Sequence, residues 1–427
     1  MRQSFRRAAH ETFRSLHVRN FRLFFVGQTI SQIGNWLTLL AQTLLVLSLT
    51  DSGIALGALA AAQFGPVLVL GPWAGLVADR SDKRRLLLIV QTIAMAQSFT
   101  LAALAFSGHP PVWAIYLVAS VGGVTVAFDN PARRAFVVEM VDEPDVQNAV
   151  SLNSALMTTA RVIGPALAGL LIATVGFGWC FLGDGLSYLA VLAAFAMMRT
   201  EDLRPAPVTP KAKRQVREGL HYAHRVPELW VPLVMMAVVG TLSYNFQTVF
   251  PLFVTRNLHG TGTTFTVLFS VVSIGALAGA LRSARRSTID VGKVAMTSIG
   301  FGAALALMVF APNQPIAFAL GPLVGATSIA FLVATTAIVQ IESAPEMRGR
   351  VLALQAMLFL GSTPIGAPIV GWVADDLGAR YAIALGAVAA LGAGAWGLSR
   401  ARRCARSAVV GAFDVETADT VDAELAR

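Results

Sequence analysis

The chain has 427 residues, 55% of them hydrophobic and only 13% charged, with a formal net charge of +9. A soluble protein of this length carries about 25% charged residues, so a water-soluble globular fold is excluded. Apolar runs of about 20 residues recur along the chain, each long enough to cross a ~30 Å hydrocarbon core as a helix that satisfies its own backbone.

In chain order, the first 22 residues carry six Arg and one Glu. The apolar stretch 21–49 is too long for a signal-peptide core and no small-residue cleavage site follows it, so it is expected to remain as span 1. Further spans are predicted at 54–78, 86–106, 112–130, 151–175, 179–198, 230–255, 263–281, 294–311, 315–340, 350–374 and 380–399. The polar stretch 200–229, which begins RPAPVTPKAKRQVREG, divides these twelve into a half over 1–199 and a half over 230–400. The stretch 200–229 is read as a cytoplasmic linker. The remainder, 401–427, ends acidic and is expected to be a disordered cytoplasmic tail.

With both termini in the cytoplasm, 30 of the 33 Lys and Arg fall in cytoplasmic segments. Arg256 and Arg380 fall in external loops, and Arg161 falls inside a span. This asymmetry follows the positive-inside rule. The positive charge is spread over short loops rather than one soluble face, which argues against a nucleic-acid partner. All six His lie in tails or loops, which argues against an intramembrane metal or haem, and no cofactor is called for. No P-loop and no catalytic constellation appears, so an enzyme is not expected and transport energy would come from an ion gradient.

Polar residues inside the spans carry the functional reading. Gln28, Gln32 and Asn35 lie at i, i+4 and i+7 on one face of span 1. Span 7, the first span of the second half, carries SYNFQ, with Tyr244, Asn245 and Gln247. Amides facing lipid are costly, so both patches face protein or a water-filled cavity. Interhelical hydrogen bonding alone is the plainer alternative. The matched placement favours a cavity wall. Arg161 lies near the predicted midplane of span 5, where an Arg costs roughly 2.5–3.5 kcal/mol on insertion scales. It is either a coupling residue or a structural one that pairs with a helix end or carbonyls. Asp184 in span 6 is the other intramembrane charge. It could pair with Arg161, exchange a proton, or sit in water near the external mouth. Asp129 reads as a solvated boundary residue. Gly164, Pro165 and Gly169 stand mid-helix in ARVIGPALAG and read as a hinge.

The segment GLVADRSDKRRLLL, residues 75–88, interrupts the apolar pattern between spans 2 and 3. Its bases fit a short cytoplasmic turn, but Asp79 opposes the helix dipole at the end of span 2 and needs a partner. A near copy, GWVADD at 371–376, ends span 11 on the opposite face and reads as a relic or a helix-ending device shared by internal repeats. ARVIGPALAG and STPIGAPIVG (362–371) repeat weakly in the same sense.

Over about residues 15–400 the chain resembles the major facilitator superfamily. Gly75, Asp79, Arg80, Lys83 and Arg84 fill the superfamily's loop 2–3 motif G-x-x-x-D-R-x-G-R-R/K, with Asp82 in place of its second Gly. ARVIGPALAG is similar to the span 5 motif of drug–proton antiporters, with Ala160 and Ala168 in place of two glycines. FDNPARRAFVVEMV (128–141), NAVSLNSALMTTARVIGPALAG (148–169) and EMRGRVLALQAM (346–357) look like the branch that contains the enterobactin exporter and related bacterial efflux proteins. Two departures stand out. Many drug–proton antiporters carry an Arg in span 4, and here none precedes Asp129, so Arg161 is the candidate substitute. Position 184, often Asn in the branch pattern, is Asp.

The resemblance implies an all-α integral membrane fold of twelve helices in two six-helix halves. It further implies a monomeric secondary transporter of a bacterial inner membrane that exports a small amphipathic molecule, a siderophore, drug or secondary metabolite, in exchange for protons. An importer or lipid flippase on the same fold is the alternative. The cavity wall is assigned to Gln28, Gln32, Asn35, Tyr244, Asn245 and Gln247, and charge coupling to Arg161 and Asp184. Gly75, Asp79, Arg80, Lys83 and Arg84 form the expected latch, with Asp79 against the start of span 11 around Gly349.

Overall fold

The computed structural model describes residues 12–204, 215–283 and 289–425. Among these, twelve helices are long and apolar enough to cross a bilayer. They run Arg19–Thr50, Gly53–Arg80, Lys83–Phe106, Val112–Glu139, Val146–Thr174 and Phe177–Ala196 in the first half. Span 7 is assembled from Pro227–Ser243, Phe246–Leu252 and a wide π-type turn over Phe253–Asn257. Spans 8, 9 and 10 are Gly262–Ser283, Val291–Val309 and Gln314–Glu342. Span 11 is Pro345–Leu360 followed by Thr363–Asp376, and span 12 begins the helix Ala379–Leu425. The twelve helices form two six-helix halves. With an even number of crossings, both ends of the chain lie on one face, called here the tail face; the opposite one is the far face.

Helix ends follow local chemistry. Ser52, Asp82, Asp290 and Asn313 cap the first turns of spans 2, 3, 9 and 10 by accepting backbone N–H bonds. The tight turns after spans 5 and 11 place Gly176 and Gly378 at φ +88 and +111, where a side chain is strained.

Two predicted elements differ. Span 4 does not end at residue 130 but continues through Pro131 to Glu139, because Asp129 and Arg133, on either side of that predicted end, are paired inside the half. The backbone of 401–425 is helical where composition predicts disorder. Its Ala, Arg and Glu content favours continuation of span 12. Of the linker, 205–214 lie outside the described residues. Gln215–Arg225 forms a short helix against the start of span 11, where Arg350 pairs with Glu218 at 2.7 Å and Tyr222 Oη accepts from Ala344 N at 3.0 Å.

The halves meet along two seams, span 2 against span 11 and span 5 against span 8. Contact is tightest toward the far face. A Cβ on Gly53 or on Gly371 would overlap the carbonyl oxygen of the other, and one on Gly57 would strike the backbone at Ala367 and Pro368. Only glycine permits this approach. Toward the tail face the same two spans stand apart. Asp79 and Gly349 are both exposed. No neighbouring atom comes within 4 Å of where a side chain would begin on Gly75 or Gly349. The halves therefore part toward the tail face, leaving a cleft there, and close on each other along spans 2 and 11 toward the far face.

Candidate functional site

A polar cavity of about 270 Å³ lies in the first half, among spans 1, 2, 3, 4 and 6. Gln32 and Asn35 line it, as do Gln42, Gln63, Gln91 and Gln97. Its charged lining is Asp129, Arg133 and Asp184.

Asp184 is 1% exposed. Its Oδ2 accepts from Thr38 Oγ1 and Ser98 Oγ, each at 2.7 Å, and Oδ1 accepts a longer bond from Ser187 Oγ at 3.4 Å. Spans 1, 3 and 6 thus converge on one carboxyl group. Gly34 allows this, since a Cβ there would collide with Asp184 Oδ1. No cation pairs with Asp184 among the described residues. One turn along span 6, Tyr188 Oη donates to Asn35 Oδ1 at 2.8 Å.

The second charged cluster is balanced. Asp129 and Arg133, one turn apart in span 4, form a buried ion pair. Gln91 Nε2 donates to Asp129 Oδ1 at 2.7 Å, while Arg133 donates to Gln28 Oε1 at 3.3 Å and Asn130 Oδ1 at 3.2 Å. This corrects three sequence readings. Asp129 is buried rather than solvated, Arg133 belongs to a span rather than a loop, and span 4 does carry an Arg. Buried charge is tolerated when paired and hydrogen-bonded, and sequence order alone could not reveal that pairing. The one available signal was the spacing Asp129-x-x-x-Arg133, an i, i+4 pair on a helix.

The remaining candidates separate. Gln28 is fully buried on Arg133 and lies behind the cavity wall. Tyr244, Asn245 and Gln247 sit at the break in span 7, in the second half, away from this cavity. Tyr244 Oη donates to Ser328 O, and its ring packs with Phe246, Phe301 and Phe359. Asn245 Nδ2 donates to Thr241 O at 2.7 Å, and its side chain faces the interior of the second half. None of these three residues is among those that line the polar cavity, and Asn245 is turned into its own half. Arg161 does not pair with Asp184. The residue as a whole is exposed, and its guanidinium lies 6.0 Å from the centroid of Trp36, which lines the cavity.

Gly164 packs on Trp36 and Gly169 on Thr266 of span 8. The span 5 helix runs unbroken through Pro165. Of the expected latch, only Asp79 and Arg80 stand exposed at the tail face with Gly75 beside them. Lys83 pairs with Glu139 at 2.8 Å, and Arg84 donates twice to Phe195 O at 2.7 and 2.9 Å. Both therefore bind spans of the first half to each other rather than one half to the other.

A profile of the transmembrane secretion effectors matches residues 10–422. The chain belongs to this family, a branch of the major facilitator superfamily of transporters. The transporter is 26% identical to the staphyloferrin A transporter of Staphylococcus aureus over 84% of this chain and 90% of that protein. It is 23% identical to macrolide efflux protein A of Streptococcus pyogenes over 84% of this chain and 91% of that one. A 31% identical match to the MFS-type transporter YfiS of Bacillus subtilis spans 50% of this chain and 51% of that protein. In fold it is similar to a bacterial homologue of the human lysosomal transporter Spinster in an inward-facing, occupied conformation. That likeness has a TM-score of 0.71 and 14% identity, and covers 90% of this chain and 96% of the other. A peptide transporter of the POT type in complex with sulfate gives a TM-score of 0.74 at 12% identity, covering 90% and 95%. These are transporters, not enzymes, and this chain is a multi-pass membrane transporter.

Proposed function

We propose that the protein exports a small amphipathic organic molecule across a bacterial cytoplasmic membrane in exchange for protons, with its tail face in the cytoplasm. The observation that carries this reading is Asp184. A carboxylate at 1% exposure, bonded only to hydroxyls and without a cation, is an uncompensated charge in a polar cavity. The hydroxyls of Thr38 and Ser98 can donate to it when it is ionised, and can rotate when it holds a proton. Asp129 is already neutralised by Arg133 and has no such freedom.

The cavity is somewhat smaller than the ~300–1,000 Å³ of drug-sized pockets. It takes a polar head of the cargo, while the apolar body lies in the cleft against Trp36 and Phe269, whose rings are 5.8 Å apart. Gln91 Oε1, buried and without a protein partner among the described residues, offers the head an acceptor. With the cleft open to the tail face, the proton leaves Asp184 and cargo enters. Rocking of the halves then exposes the cavity to the far face, where cargo leaves and a proton returns. Relatives named for efflux, macrolide efflux protein A and the multidrug efflux pump Tap of Mycolicibacterium fortuitum, support the outward direction.

The test is cargo uptake into everted membrane vesicles under an imposed pH gradient, acid inside. Uptake that rises with the gradient and collapses with a protonophore supports exchange for protons. Uptake indifferent to the gradient contradicts it.

A further inference from the structure

We propose that Asp375 is the far-face latch of the transport cycle, a counterpart of Asp79, and that each carboxylate holds the two halves together in one of the two access states. The inference rests on the chain being a transporter, not on protons or on Asp184. Spans 2 and 11 lie side by side in opposite directions, and each ends in G-x-V-A-D where the other begins.

At the far face the arrangement is complete. Asp375 Oδ1 accepts from Gly53 N at 2.7 Å, and Oδ2 accepts from Ser52 Oγ at 2.7 Å and Ile54 N at 2.9 Å. Arg256, from the end of span 7, donates to Asp375 Oδ1 at 3.0 Å and to Ala374 O at 3.1 Å, and pairs with Asp51 at 3.6 Å. An acid at the end of its own helix opposes that dipole. Here it is offset by the first-turn N–H groups of the facing helix and by one guanidinium. Such charge-assisted bonds are the stronger kind, and the Gly53–Gly371 contact brings the backbones close enough to form them.

At the tail face the same motif is idle. Asp79 is exposed, and among the described residues no hydrogen bond or ion pair holds it. Span 2 is one unbroken helix of 28 residues from Ser52's end to Asp79's. A rocking motion that brings Asp79 to span 11 must carry Gly53 away from Asp375. The two latches therefore exclude each other, and breaking one shifts the population toward the state held by the other.

The experiment uses the full chain in lipid, without cargo or gradient, with Cys180 and Cys404 replaced by Ala. Spin labels are placed at Ile54→Cys and Leu377→Cys, positions 49% and 57% exposed on opposite sides of the far-face seam. Asp375→Asn is expected to raise the ratio of long to short label distances about tenfold, which corresponds to ~1.4 kcal/mol. Asp79→Asn is expected to leave the short distance dominant or strengthen it. An unchanged distribution in Asp375→Asn overturns the proposal, as do shifts of the same sign in both variants. Should Asp375→Asn fail to fold, Ser52→Ala keeps the carboxylate and removes one donor. It is expected to shift the ratio about threefold in the same direction, and no shift there also overturns the proposal. Because the readout needs no transport, failure of proton coupling would not mimic failure of the latch.

Discussion

Thr38 Oγ1 donates a 2.7 Å hydrogen bond to Asp184 Oδ2, tying span 1 to span 6 at the wall of the polar cavity. Ser98 adds the same bond from span 3. Hydrogen bonds to a charged group contribute about 1.5–3 kcal/mol. Thr38→Val, which keeps the shape and removes the donor, is expected to slow gradient-driven efflux about tenfold or more. Thr38→Ser should restore most of the rate. Equal rates for the valine and serine variants, with equal expression, would separate the hydroxyl from function.

The Asp129–Arg133 pair is expected to matter chiefly for folding. Removing one partner of a buried pair costs about 3–5 kcal/mol, because the other charge is left uncompensated. Arg133→Gln should therefore lower the thermal unfolding midpoint in detergent sharply. The double change Arg133→Gln with Asp129→Asn should recover much of the loss. A double variant as unstable as the single would argue that the pair's charges are not the source of the effect.

Gly371 faces the Gly53 carbonyl with no room for a side chain. Gly371→Val should force the far-face seam open and reduce transport while leaving each half folded. Labelling of an introduced cysteine at Leu252, fully buried against Gly53 at the seam, checks this from the far face. Faster labelling in Gly371→Val than in the parent is the expected result, and unchanged labelling would count against a closed seam.

Arg161 is an exposed residue whose guanidinium lies over Trp36, a residue of the cavity wall. Arg161→Lys keeps the charge but loses the planar guanidinium that stacks on the ring. The variant is expected to express normally and to transport several-fold more slowly, with the loss mainly in apparent cargo affinity. A variant lost at the level of expression instead would assign Arg161 to structure.

The twelve spans and their two halves were legible because each apolar run is long enough to cross a bilayer and the basic loops alternate in side. Asp184 was legible as a charge inside an apolar run. Its surroundings were not, because Thr38 and Ser98 lie 146 and 86 residues away in sequence. Arg133 misled for the opposite reason. Charges just past the end of an apolar run read as a loop, and only the fold shows that Asp129 and Gln28 take up the hydrogen bonds of Arg133. Asn245 misled because a polar residue at a helix break can face either side of its helix, and the break in span 7 turns it into its own half. The G-x-V-A-D repeat was visible, but its meaning at 371–375 needed the sight of Gly53 across the seam.

The measurement that bears most directly on proton coupling through Asp184 is paired transport and binding in Asp184→Asn. Asparagine keeps the size of the group and cannot exchange a proton. Everted vesicles carrying the variant should show no cargo uptake driven by a pH gradient, while cargo binding to the purified protein stays within a few-fold of the parent. Undiminished gradient-driven uptake by well-expressed Asp184→Asn would contradict the account.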